Sequence, residues 1–141
     1  MASVVRPPFA GHWIEAELGN TGAWSVGVVW LNRESSAYCL HVGPQHCNAF
    51  GVMHGGAMAT FADSQLCADP SYPTDAAPRT PTITLTVDYL APVDVAAWLL
   101  LTGRVLRRTQ TLIFTEAAVT VDGQLAARSN AIYRNFQHAG A

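Results

Sequence analysis

Charge is what this chain has least of: 13% of its 141 residues are Asp, Glu, Lys or Arg, while 50% are hydrophobic. With a net charge of −2 there is no broad basic surface, so nucleic acid is not an expected partner. Cysteine is scarce too. Cys39, Cys47 and Cys67 are odd in number and form no CxxC pair, which argues against a disulfide framework and for a reducing, cytoplasmic setting. The segment 1–13 carries Pro7-Pro8 and no apolar h-region, so it does not read as a signal peptide. The longest apolar run, 95–101, is far too short to span a bilayer, and no membrane partner is expected. Internal repeats and low-complexity stretches are absent. What remains is a chain sized for one domain over 1–141, with more apolar surface than a lone small monomer solvates well. That points to a homo-oligomer.

Periodicity divides the chain into strands and one helix. An N-terminal arm over 1–22 reads as irregular, with a short helix over 13–18. Strands are expected at 24–31 and 37–42, joined by the turn Asn32-Arg33-Glu34-Ser35. Gly43-Pro44 ends the second, and a loop through Asn48 and Gly51 leads to a helix over 55–68, stopped by Asp69-Pro70. The loop 69–81 holds four prolines. Beyond it, 82–90 alternates: Ile83, Leu85, Val87 and Tyr89 share one face, and Thr82, Thr84, Thr86 and Asp88 the other. Strands at 97–106 and 111–121 follow, and Asp122-Gly123 is a type I′ hairpin turn into a strand at 125–133. The helix has apolar residues all round (Met58, Phe61, Ala62, Leu66, Cys67) and needs cover on most sides. An antiparallel sheet curled around it meets that need, with strand edges protected by a second subunit.

The chemistry concentrates in His54-Gly55-Gly56 and Asp63. Two glycines at a helix start leave backbone N–H groups bare, with the positive end of the helix dipole behind them. That is a seat for a carbonyl oxygen that turns negative during reaction. Asp63 is the only ionisable group between Gly55 and itself. A helix rises about 1.5 Å per residue, so Gly55 and Asp63 of one chain lie roughly 12 Å apart. Attack requires about 3–3.5 Å, so a site using both groups lies across a two-fold interface.

The segments Asn48-Ala49-Phe50-Gly51-Val52-Met53-His54-Gly55-Gly56, Asp63, Val87-Asp88-Tyr89-Leu90-Ala91-Pro92 and Asp122-Gly123-Gln124-Leu125-Ala126 together resemble the hotdog-fold acyl-CoA thioesterases. The likeness is to the PaaI-like and 4-hydroxybenzoyl-CoA thioesterase branch. It implies an α+β hotdog fold, with five to six antiparallel strands wrapped around one long central helix. It implies hydrolysis of an acyl-CoA, aryl or medium to long acyl, with coenzyme A arriving as part of the substrate and no other cofactor or metal. By the same resemblance Gly55 supplies the oxyanion N–H, with Gly56 beside it, and Asp63 acts as nucleophile or general base. Asn48 positions water or substrate, His54 orders the carbonyl corner, and Thr82 holds the attacking water. Cys67 stands where some relatives carry a hydroxyl. Arg107, Arg108 and Arg128 are candidates for the coenzyme A phosphates. A homodimer at least is implied, and a homotetramer is common among similar proteins.

Structural readings stand beside these. Asp63 could be a hydrogen bonder only; Gly55-Gly56 could allow close packing; Asn48 could close its own loop as an Asx-turn. His54 could be a helix-start histidine, Thr82 an ordinary strand residue, and each arginine part of a solvated strand face. His41, His46, Cys47 and His54 match no standard zinc spacing. Two other functions fit the fold: an acyl-CoA-binding module without turnover, and a hotdog hydratase or dehydratase.

Overall fold

The computed structural model describes residues 5–18, 26–69 and 80–136. Seven strands form one antiparallel sheet: β1 (Ile14–Leu18), β2 (Gly27–Asn32), β3 (Ala37–His41), β4 (Thr82–Tyr89), β5 (Trp98–Arg108), β6 (Leu112–Val121) and β7 (Gln124–Arg134). Their order is β1-β2-β3-β5-β6-β7-β4. The helix α1 (Gly55–Asp63) lies between β3 and β4 in sequence, followed by a 3-10 turn at Gln65–Ala68.

The sheet expectation is met with more strands than the five to six anticipated. The extra one is β1, which corrects the short helix expected over 13–18. Ile14 and Leu18 are spaced like neighbours on a helix, but Ile14 pairs with Leu31 and Leu18 with Gly27, so an available partner strand decides the conformation. The helix is also shorter than expected. It closes at Asp63, with Ser64 as C-cap, and the remaining turn is 3-10 rather than α. The Pro70 stop and most of the proline-rich loop fall outside the described residues.

Alternation along β5, β6 and β7 separates the two faces. Leu99, Leu101, Ile113, Ala117, Val119, Ala127, Ala131 and Tyr133 are buried toward the helix, with Met58, Phe61 and Leu66 set against them. Phe61 is fully buried and meets Tyr38 edge-on, ring centroids 4.8 Å apart. Burying such a side chain contributes roughly 1.5–3 kcal/mol. The opposite sheet face is partly covered by the arm: Phe9 meets Trp13 at a tilt and Trp98 edge-on, and Arg6 sits over Trp30. The Asp122-Gly123 turn has φ values of 50° and 80°, both positive as a type I′ turn requires.

One local departure matters for the site. The β4–β7 register shifts between Thr82 and Thr84. This bulge takes Thr82 out of the expected alternation and turns its hydroxyl to the helix side, where it meets Asp63. Bulges commonly re-aim a side chain in this way.

Candidate active site

The start of α1 is built by His54. Its backbone is extended (φ −66°, ψ 137°), and its Nδ1 accepts the Gly56 N–H at 2.9 Å. Nδ1 is therefore the unprotonated nitrogen of a neutral ring, and Nε2 carries the hydrogen. The side chain is exposed. With Gly56 engaged, the Gly55 N–H has no acceptor bonded to it among the described residues and borders the cleft beside the helix start, whereas Ala57, the next first-turn residue, is buried. The sequence reading left both glycine amides bare; in the structure the Gly56 amide is taken by the cap and the Gly55 amide is not.

The preceding loop is closed by Asn48, whose Oδ1 accepts the N–H groups of Phe50 at 2.9 Å and Val52 at 3.3 Å. The Asx-turn reading of Asn48 is thus correct for the oxygen, while the side-chain NH₂ takes no part in that loop. Phe50, at the tip, is 88% exposed. Behind the loop, His46 is buried and engaged at both nitrogens, by the Gly43 N–H and the Val26 carbonyl. A ring so occupied is a packing element rather than a ligand.

At the other end of α1, half-buried Asp63 receives the Thr82 hydroxyl on Oδ1 at 2.8 Å. Two tyrosines hold the helix end itself: Tyr38 donates to the Phe61 carbonyl and Tyr133 to the Asp63 carbonyl. Such donors satisfy carbonyls that a helix terminus leaves open. Burial pushes the Tyr38 hydroxyl well above its ordinary value, and the nearby Cys67, Tyr133 and Asp63 push the same way. Cys67 therefore belongs to this cluster, half-buried beside the acid-bearing end. Gln65, also buried, ties the 3-10 turn to the sheet by donating to the Ala62 carbonyl and to Ser129.

A cleft of about 360 Å³ opens beside the helix start, lined by Met53, Gly55, Met58, Tyr89, Leu90, Ala91, Pro92 and Val93. Its walls are apolar, and its size is near the lower end for small-molecule pockets. The arginines scatter. Arg128 pairs with Asp88 at 2.8 Å; its neighbours Ala127 and Ser129 are buried toward the helix, so it projects from the opposite face. Arg108 is in register with Ile113, on the helix side, and Arg107 with Phe114, on the other.

Within one chain, then, Asn48, His54, Gly55 and Gly56 come together at the helix start. Asp63, Thr82 and Cys67 come together at its end. Missing from the sequence reading were Tyr133 and Tyr38, although the β7 alternation, with Ala127, Ser129 and Ala131 inward, carried the signal for Tyr133. Also unread was the Tyr89 hydroxyl, which donates to the Gly55 carbonyl at 2.7 Å. Among the described residues no helix is long and apolar enough to cross a membrane.

The thioesterase superfamily model matches residues 50–127, more than half of the chain and everything from the loop tip to β7. Asn48 lies just outside that stretch. Acyl-coenzyme A thioesterase 13 of Homo sapiens is 28% identical over 108 residues, covering 72% of this chain and 70% of the relative. Among solved structures, zebra fish thioesterase superfamily member 2 superposes with a TM-score of 0.61 at 23% identity, covering 70% of this chain and 72% of the other. A variant of the phenylacetic acid degradation protein PaaI from Thermus thermophilus gives 0.61 at 18%, covering 70% and 83%. A Streptococcus mutans protein bound to acetyl CoA gives 0.60 at 20%, covering 70% and 77%. With that family match over more than half of its length, and with α1 packed on a single antiparallel sheet among the described residues, the chain belongs to the thioesterase superfamily, a family of thioester hydrolases with the hotdog fold.

Proposed function

We propose that this chain hydrolyses an acyl-CoA thioester to the free acid and coenzyme A, at a site shared by two copies related by a two-fold axis. The observation that carries the reading is the split of chemistry along α1. The unengaged Gly55 amide and the Thr82-held Asp63 carboxylate sit at opposite ends of one nine-residue helix. At about 1.5 Å per residue they are roughly 12 Å apart, too far to act on one carbonyl. An antiparallel second copy brings Asp63 of one protomer to Gly55 of the other. Two features favour that arrangement. Gly56, Ala59, Thr60 and Asp63 form a stripe of α1 that is not fully buried, and β4 ends the sheet with one edge unpaired among the described residues.

In such a site the thioester oxygen accepts from the Gly55 N–H, which stabilises the negative charge as the carbonyl becomes tetrahedral. By comparison with other oxyanion donors this is worth about 2.7–4 kcal/mol. Asp63 either attacks the carbon itself, giving an anhydride that water opens, or removes a proton from the attacking water. In both routes the C–S bond breaks, and coenzyme A leaves as thiolate and is protonated. The apolar cleft takes the acyl group. Arg107 and Arg108, at the far end of β5, are the cationic candidates for the nucleotide phosphates, with Arg128 displaced to the other face.

Thiol release from a panel of aryl, short, medium and long acyl-CoAs tests the reading. Turnover is expected for an apolar acyl group, with Asp63→Asn lowering it by at least a hundredfold while the oligomer and melting temperature persist. Tight binding without turnover in the wild-type chain replaces the reading with an acyl-CoA-binding module.

A further inference from the structure

The Gly55–Gly56 peptide unit is gripped at both ends. Its N–H donates to His54 Nδ1 at 2.9 Å, and its carbonyl accepts from the Tyr89 hydroxyl at 2.7 Å. Tyr89 closes β4, opposite Ala127 in β7, and its ring lies 3.5 Å from where a Cβ on Gly55 would stand. The same ring walls the 360 Å³ cleft. Yet Tyr89 is 55% exposed, so its hydroxyl could be satisfied by water, and no buried group depends on it. Its geometry fits a role in aiming the helix start rather than in stabilising the core.

We propose that Tyr89 is a positioning residue for the oxyanion donor. Fixing the Gly55–Gly56 peptide fixes ψ of Gly55, the dihedral that two flexible glycines would otherwise leave soft. With the following peptide held, the preceding amide, the Gly55 N–H, is left only rotation about φ of Gly55, at the edge of the cleft that Gly55 lines. His54 assigns the Gly56 N–H to the cap, and Tyr89 prevents the plane from turning. The strand end thereby bears on the direction of the amide that borders the cleft. The inference rests on the acyl-CoA hydrolase reading for its kinetic consequence but not for its structural one.

Tyr89→Phe removes the hydroxyl and leaves the ring. In thiol-release assays on the best acyl-CoA, kcat is expected to fall about tenfold, with KM within twofold and the melting temperature unchanged. An unchanged kcat overturns the proposal, as does a rise in KM alone, which would make Tyr89 a cleft wall only. Amide NMR provides a second readout that needs no turnover: the Gly55 and Gly56 signals should shift and the Gly56 amide should exchange faster in the variant. Unmoved signals overturn the clamp. A wild-type chain without turnover sinks the hydrolase reading, and the clamp then stands or falls on the NMR result.

Discussion

The Thr82 hydroxyl donates to Asp63 Oδ1 at 2.8 Å, so the residue expected to hold a water holds the carboxylate itself. The bond leaves Oδ2 as the oxygen without a bond to Thr82. A carboxylate fixed by one oxygen presents the other in a defined direction, which is what either attack or proton removal needs.

Thr82 is exposed, so its replacement should cost little stability. Thr82→Val keeps the shape and removes the donor; kcat is expected to fall about tenfold with the melting temperature unchanged. Thr82→Ser should recover most of the activity. A Val variant as active as wild type would show that Asp63 needs no such support.

The shared site can be tested by removing one hydrogen. Gly55 is the first residue of α1, where proline is tolerated because that N–H has no helical partner. His54 already has the extended backbone that a following proline demands. Gly55→Pro should therefore fold and lose about 10²–10³ in kcat. Mixing it with Asp63→Asn gives a sharper result. A heterodimer carries one site with both lesions and one with neither. Random reassortment makes half the dimers mixed, each with one live site of two, so about a quarter of wild-type activity returns from two inactive parents. No recovery after verified subunit exchange would mean the two groups do not meet across an interface.

Much of this arrangement was legible in the sequence, because its determinants are local. Asp122-Gly123 demands positive φ, and the glycines after His54 mark a helix start. The helix end was not legible. Tyr38 and Tyr133 reach the Phe61 and Asp63 carbonyls from 23 and 70 residues away, and no window around Asp63 contains that information. The bulge at Thr82 was hidden for the same reason: the alternation of 82–90 is regular in sequence, and only the pairing with β7 breaks it. At 13–18 the spacing of Ile14 and Leu18 favoured a helix, and the neighbouring β2 overruled it. The arginines were unresolved because facing depends on register, which a bulge between Val105 and Arg107 resets.

Alkaline pH should weaken the fold in a traceable way. Burial pushes the Cys39 thiol from 9.0 up to about 12, and Tyr38 moves in the same direction from 10.0. Between these limits the folded chain retains protons that the unfolded chain has lost. Stability is therefore intact below about pH 9 and declines as pH rises toward 12. Cys39, whose thiol lies fully inside the fold, contributes part of that decline. Urea titrations at pH 7.5, 9 and 10 should show the decline, and Cys39→Ala should remove this part of the slope whatever its constant cost from lost packing. An unaltered slope in the variant would assign the effect elsewhere.

Asn48 separates a loop role from a chemical one, because its two side-chain atoms face different tasks. Oδ1 closes the loop onto Phe50 and Val52; the NH₂ is the part that could reach water or the leaving sulfur. Asn48→Asp keeps an acceptor for both backbone N–H groups and removes the NH₂. If the amide nitrogen serves the reaction, this variant holds its melting temperature and loses at least tenfold in kcat, while Asn48→Ala also loses stability, by about 1 kcal/mol. An Asp variant with full activity beside a destabilised Ala variant would make Asn48 a loop residue alone. The carboxylate adds a negative charge close to the helix start, where the dipole favours it, so lost activity in the Asp variant cannot be put down to a weakened helix.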